Sequence, residues 1–332
     1  MCVDVIDKDA EKSSARGDTA VMRVGVAGLG LIGEGAALRL LDDPAYELCG
    51  ALVSDASRDR HERFANILVT DDLDAFFDTK PDVVIDALPV AGAGRAVIEQ
   101  ALSRGIGVVS ANKQAVAGVL HEFSAIADRS GVALNYSASV GGGAAMVETV
   151  HEARNHGDVV EMTAILNGTV NYILTSLAAG VAFDDAVRRA QDAGFAEPDP
   201  TADLSGDDAR AKISILCFEA FGAEIAMDEI TTVALDKALA DKIVADGGVY
   251  KQLSAVKRTA SGAVSASLSF VKVPADDFFA GVGDEGNALR IVTADGREFS
   301  CADKGAGRAP TVASLFADLD RIRAVAPPRQ SN

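Results

Sequence analysis

Tryptophan is absent from this chain and aromatic residues make up only 5% of it, too few for the stacking platforms that hold single-stranded nucleic acids. Basic residues are in deficit, with 31 Lys and Arg against 49 Asp and Glu and a net charge of −18. So acidic a surface repels phosphate backbones and anionic lipid, which argues against nucleic-acid and membrane partners. The four cysteines, Cys2, Cys49, Cys217 and Cys301, form no CxxC pair. A close-spaced zinc cluster and a disulfide framework are thereby excluded, and each cysteine reads as a small buried hydrophobe. His61, His121, His151 and His156 contain no HExxH, so a histidine metal site is not expected. No run of 18 apolar residues occurs, which removes a transmembrane helix. Residues 1–20 mix both charge signs without the apolar stretch of a signal peptide, and read as a loose extension of a cytoplasmic protein.

What the chain does have is 332 residues, 48% of them apolar and 24% charged, enough for a sizeable core and about two domains. Val21 opens a short β-branched run, VMRVGVAGLG, that stops at glycines as a buried parallel strand does. EGAALRLLDD then shows helical spacing, with Pro44 just past its end. ELCGALVS, PDVVIDAL and GIGVVSA continue the alternation of strand with helix, the pattern of a doubly wound parallel sheet. Near residue 135 the style changes to the small, glycine-rich YSASVGGGAA and longer helical patterns. Several short strands are expected from Val256 to Phe299, and a last helix over Thr311 to Val325. The expected fold is α/β: a doubly wound parallel sheet of the Rossmann type plus a second α+β domain. The boundaries are residues 1–20 for the extension, 21–135 for the first domain, 136–303 for the second, and 304–332 for a C-terminal segment.

Gly28-Leu29-Gly30-Leu31-Ile32-Gly33 is a GxGxxG between a strand and a helix, the context a dinucleotide fingerprint requires. Gly28 serves the tight turn, Gly30 the approach of a pyrophosphate, and Gly33 close helix packing. Leu31 and Ile32 offer free N–H groups at the helix start. Asp55 lies 22 positions after Gly33 (55 − 33) and, with Ser54, suits a free ribose 2′-OH. Arg58 and Arg60 follow at once and suit a 2′-phosphate, so NAD and NADP both stand.

Asp208 and Lys212 are four apart in a helical segment and share one face; by pattern alone they are an exposed ion pair. The apolar residues that follow them point instead to a buried helix, where a desolvated ammonium exchanges protons near neutral pH. Lys113 ends a predicted parallel strand, where open α/β sheets bind ligands. Glu197, Asp199 and Asp203 form an acidic, Pro-containing loop, for which helix capping is the plain reading. Asn167-Gly168-Thr169 reads as a turn.

ILNGTVNYILT at 165–175 and AGFAEPDPTADLSGDDARAKI at 193–213, with VSANK, SVGGGAA and KGAGRAPT, resemble homoserine dehydrogenase from about Val21 onward. The resemblance implies NAD(P)-dependent interconversion of L-homoserine and L-aspartate 4-semialdehyde, a step of threonine and methionine biosynthesis, by a homodimer, with residues 21–135 for dinucleotide binding, 136–303 as the catalytic domain for substrate and dimerisation, and 304–332 returning to the first domain. The short length implies the compact form, without a regulatory domain. By similarity Lys212 is the acid/base, Asp208 orients it and the substrate, and Lys113 is a second active-site lysine. Glu197, Asp203, Asp208, Thr169 and Gly194 would contact substrate; Ser110, Lys113, Gly305 and Gly307 would contact cofactor. Carbonyls near Val140 and Gly142 would hold a monovalent cation, Na+ or K+, but Ser137 stands where the family has a glutamate. Phe195 replaces a common tyrosine, while Arg308 and Ala164 each replace a common glycine. Two alternatives remain: a paralogous dehydrogenase for another hydroxy amino acid, and a non-catalytic cofactor-binding regulator.

Overall fold

A computed structural model describes residues 21–259, 262–305 and 307–325; the expected extension over 1–20 and the tail from 326 lie outside the described residues. The first sheet contains β1 (Met22–Ala27), β2 (Tyr46–Leu52), β3 (Val69–Thr70), β4 (Val83–Asp86), β5 (Gly107–Ser110) and β6 (Leu134–Asn135). They are all parallel, in the order β3-β2-β1-β4-β5-β6. β1, β4 and β5 are buried along nearly their whole length, which explains their continuous apolar runs. The order reverses between β1 and β4, so a ligand crevice opens at their carboxyl ends.

The second sheet contains β7 (Val159–Ile165), β8 (Thr231–Thr232), β9 (Val249–Arg258), β10 (Val264–Val273), β11 (Gly286–Thr293) and β12 (Glu298–Lys304). Its order is β12-β11-β7-β9-β10-β8, antiparallel except where β8 joins β10. The strands here were expected to be short and to begin near Val256. β9 in fact starts seven residues earlier, and β9 and β10 are each 10 residues long. Their half-polar sequence alternates across a sheet covered mainly on one face, so its apolar signal is diluted. The doubly wound sheet with a second α+β unit is thus the architecture observed.

Two helices join these layers. Asp207–Phe221 is buried on most sides, because its apolar residues are spread around the helix rather than gathered on one face. Its Ile213, Ile215 and Leu216 share a core with Val108 and Phe123 of the first layer and Val256, Leu268 and Leu289 of the second sheet. The last helix runs Arg308–Val325, three residues earlier than its apolar spacing indicated, because Pro310 is tolerated in a first turn. Val312, Leu315, Phe316 and Leu319 pack on Val24, Val26, Ala36 and Leu40 of the first sheet and its first helix.

At the C-terminal end of the central helix, buried Glu219 accepts from Tyr136 Oη and pairs with His151 Nε2 at 2.8 Å. Its backbone carbonyl accepts from Arg154 at 2.8 Å. Burial alone would raise Glu219, but the His151 and Tyr136 hydrogen bonds hold it below the usual range. The same hydrogen bond raises His151 above its ordinary 6.5. The histidine's contribution is therefore complete below 6.5 and is lost as pH rises through its raised value; that of Glu219 is present above 4.5 and is lost as pH falls through its lowered one. The melting temperature of His151→Ala should fall furthest below that of the parent at about pH 6 and converge on it in alkali. A gap independent of pH, read by calorimetry, would show that a neutral imidazole suffices.

Candidate active site

The helix Leu31–Asp42 begins directly after the glycine loop, with Gly30 as its N-cap and no side-chain cap. Gly28 has φ +92°, and a Cβ there would lie 2.7 Å from Ala87 O; a Cβ at Gly33 would lie 1.7 Å from Gly28 O. Gly30 has nothing within 4 Å of its missing Cβ. Two glycines thus close the turn and the third leaves room for a ligand against free helix N–H groups. These residues fit a dinucleotide. Ser54, Asp55 and Arg58 lie exposed beyond β2. Asp55 Oδ1 accepts from Ser57 N and Oγ at 2.9 and 2.6 Å, and those bonds hold the carboxyl below its usual range. Arg60 donates to Asp55 O at 2.7 Å, and Arg58 and Arg60 line a shallow groove of about 300 Å³ with His61 and Phe64.

A cavity of about 560 Å³ brings together Lys113, Thr169, Gly194, Glu197, Asp203, Asp208, Lys212, Gly305 and Gly307. At its floor Asp208 is almost wholly buried: Oδ1 pairs with Lys113 Nζ at 3.0 Å and Oδ2 with Lys212 Nζ at 2.8 Å. Burial would raise this carboxyl, but the two ammonium groups outweigh it and hold it far below the usual range. The Asp208 charge in turn raises Lys113. Lys212 also donates to Leu166 O at 2.8 Å. Its ammonium therefore sits on oxygens rather than in apolar surroundings, and the pair is buried where pattern alone gave an exposed one.

Asn167-Gly168-Thr169 is not a free turn. Asn167 caps the helix Gly168–Ala178 through Oδ1, which accepts from Val170 N at 2.8 Å. Its Nδ2 donates to Asp203 Oδ1 at 2.7 Å and to Asp208 Oδ2 at 2.9 Å. Asp203 thus faces the cavity instead of capping a helix; burial raises its carboxyl. Asp199 does take the local role, accepting from Thr201 N at 3.1 Å. Thr169 Oγ1 donates to Phe195 O at 2.6 Å, which ties the Gly194 loop to the cavity wall.

Ser110 does not reach the cavity surface. It is wholly buried, its hydroxyl donating to Asp86 Oδ2 at 3.0 Å and accepting from Asn112 N at 3.1 Å. Asn112 caps the short helix that opens with Lys113, so Ser110 acts through the backbone that presents the lysine. Sequence reading missed Asp86, an acid ending an apolar strand and pushed up to about 6 by burial. It also missed the cavity-lining pair Glu285 and Lys304, 2.9 Å apart, whose spacing carries no motif.

The Ser137 side chain does not fit a monovalent cation. Val140 is buried, and beside it the Ser137 hydroxyl accepts from Arg321 at 3.3 Å while Ser137 N donates to Asp318 at 3.0 Å. A guanidinium already on the hydroxyl repels a second cation there. Among the described residues no cluster of three or more His, Cys, Asp or Glu could hold a metal.

Two family models match the chain: homoserine dehydrogenase over residues 146–319, and the homoserine dehydrogenase NAD-binding domain over residues 28–137. An NAD(+)-dependent homoserine dehydrogenase of Pseudomonas canavaninivorans is 30% identical over 262 residues, covering 77% of this chain and 74% of its own. A homoserine dehydrogenase of Mycobacterium bovis is 30% identical over 339 residues, covering 95% and 76%. The solved homoserine dehydrogenase of Thiobacillus denitrificans has a TM-score of 0.81 at 26% identity, covering 91% of this chain and 73% of its own. That of Thermoplasma acidophilum, 20% identical, shares the fold with a TM-score of 0.78 over 92% of this chain and 99% of its own. The chain belongs to the homoserine dehydrogenase family, the NAD(P)-dependent oxidoreductases that interconvert L-homoserine and L-aspartate 4-semialdehyde.

Proposed function

We propose that Lys212 is the acid/base of this reaction, Asp208 the group that orients it, and Lys113 a second cation beside the reacting carbon. The observation that carries this is the buried Lys113–Asp208–Lys212 bridge in the wall of the 560 Å³ cavity. An ammonium has three donors; Asp208 and Leu166 O take two of those on Lys212, and the third serves an oxygen in the cavity. In the reducing direction that N–H gives its proton to the C4 oxygen of the semialdehyde. In the oxidising direction Lys212 must first be the neutral amine, which takes the hydroxyl proton of homoserine and becomes the ammonium. When bound, the nicotinamide supplies or accepts the hydride.

The α-ammonium of the substrate falls to the carboxylates of Glu197 and Asp203, with Thr169 and Gly194 shaping the wall. Gly28, Gly30, Leu31, Ile32 and Gly33 would hold the dinucleotide phosphates, and Gly305 and Gly307 would border the cofactor. On this reading residues 21–135 serve the cofactor and 136–303 the substrate, with 304–332 returning to the first unit. The chain would act as a cytoplasmic homodimer, which light scattering of the purified protein tests. No helix among the described residues is long and apolar enough to cross a membrane.

The direct test is oxidation of a panel of hydroxy amino acids with NAD and NADP, where L-homoserine should be fastest; another amino acid ahead of it would make the chain a paralogue. Lys212→Met should lower kcat by a hundredfold or more, roughly the scale of general acid–base catalysis, with cofactor affinity kept; over half the activity remaining would remove the lysine from the mechanism. Asp208→Asn should likewise lose activity and bind cofactor as the parent does.

For the ribose, Asp55→Ala should shift the ratio of affinities toward NADP by about tenfold, since an acceptor for the 2′-OH and a charge that repels 2′-phosphate go together. Arg58→Ala should weaken NADP alone. Calorimetry that finds the ratio unmoved in both variants would place the ribose elsewhere. With Arg321 on Ser137, sodium or potassium should activate only weakly; a steep, saturable requirement at low millimolar sodium would show that main-chain carbonyls suffice.

A further inference from the structure

We propose that Arg308 is a ligand of the cofactor pyrophosphate, donated to the glycine loop by the C-terminal helix. The proposal rests on the reading that NAD(P) binds over Gly28–Gly33. Arg308 opens the helix Arg308–Val325, directly after Gly307 in the cavity wall. Its side chain lies on the first helix of the other end of the chain. A Cβ at Gly35 would meet Arg308 Nε at 2.8 Å and Cγ at 3.4 Å. In a helix every Cβ direction tilts toward the N-terminus. Gly35 lies one turn after Leu31, about 6 Å along the axis at 1.5 Å rise per residue, so the arginine lies on the same face of the helix as its first turn. The side chain is only partly covered, at 42% exposure, so its head is free to turn.

The charge around it explains why a cation is needed there. Glu34 stands in the first turn of the same helix, where a carboxylate opposes an incoming diphosphate. Arg308 Nη2 lies 3.7 Å from Glu34 Oε1, outside hydrogen-bond distance, so the guanidinium balances the acid without being fully engaged by it. The chain as a whole carries −18, so its general field does not favour an anionic ligand. Lys113 is already committed to Asp208. A planar guanidinium beside a helix N-terminus matches a phosphate in both shape and charge. On binding, the pyrophosphate replaces Glu34 as the partner of Arg308.

The test is calorimetric titration of NAD and NADP into the purified chain and three variants, a readout independent of turnover. Arg308→Ala should weaken both cofactors equally, by about tenfold. Glu34→Gln should tighten both. In the double variant, Arg308→Ala should still cost the same factor relative to Glu34→Gln. If the arginine has no effect once Glu34 is neutral, it only shields that acid and the proposal falls. A loss confined to NADP would overturn it too, by assigning Arg308 to the 2′-phosphate. Gly30→Val checks the underlying reading separately: the empty space at Gly30 admits the side chain in the free protein but leaves no room for a phosphate. Cofactor binding retained by Gly30→Val would overturn the location itself, whereas binding lost there and unchanged in Arg308→Ala would overturn the arginine alone. Arg308→Gln, which keeps the stem on Gly35, replaces the alanine variant if its melting temperature drops.

Discussion

The carboxylate of Asp208 is the constraint on which the site depends. It is ionised and almost wholly buried, a state that costs several kcal/mol unless it is paired and hydrogen-bonded. Its partners come from three places in the chain: Lys113 after β5, Asn167 after β7, and Lys212 one turn along its own helix. The bridge therefore exists only when the parallel sheet, the mixed sheet and the helix between them are all in place. Removing any partner leaves the others buried with unanswered charge. On the proposed roles, the pairing that would make a proton carrier available would also tie catalysis to correct assembly.

A second chain of bonds runs from the cofactor loop to the same lysine. Gly28 packs on Ala87, and Leu88 N donates to Asp86 at 3.1 Å. Asp86 accepts from Ser110, Ser110 accepts from Asn112, and Asn112 caps the turn that presents Lys113. The links from Asp86 to Asn112 are buried and the one from Leu88 is partly so, so the position of Lys113 is set from the switch point of the sheet. The crevice where the strand order reverses thus fixes both the dinucleotide loop and one end of the Asp208 bridge. No separate device is needed to bring cofactor and substrate sites into register.

Much of this was legible in the amino-acid sequence, and the reason differs by element. The parallel sheet showed itself because fully buried strands are continuously apolar, and the glycine loop because its three roles have three separate steric causes. Asp208 and Lys212 stood out through their four-residue spacing, yet spacing cannot tell a buried pair from an exposed one. Lys113 was visible by its place at a strand end, but its partner lay 95 positions away (208 − 113), beyond any local pattern. The long β9 and β10 were blurred because a sheet covered mainly on one face mixes polar with apolar residues. Asn167 was misread as turn chemistry although it is an N-cap, since the same asparagine preference serves both. Ser110 was assigned to the cofactor through the family resemblance alone; its hydroxyl turns inward to answer Asp86.

The charge count of the cavity bears on what it accepts. Lys113, Lys212 and Lys304 bring three positive charges, while Glu197, Asp199, Asp203, Asp208 and Glu285 bring five negative ones. Asp208 is consumed by the two lysines, and Lys304 is paired with Glu285. Asp199 is occupied by Thr201 N and Oγ, which leaves Asp203 and Glu197 to face a ligand, and burial already makes ionised Asp203 unfavourable in the free protein. An arriving ammonium relieves that penalty, because a charge partner favours the ionised form that burial opposes. A simple hydroxy acid brings only another anion and would meet these carboxylates with repulsion. On the proposed roles, the arrangement would select an amino acid over a hydroxy acid of the same length by the charge at its α-carbon, not by the shape of its side chain. The acid pair, rather than the proton relay, would then set the class of substrate, and the relay would be free to act on the hydroxyl brought within its reach.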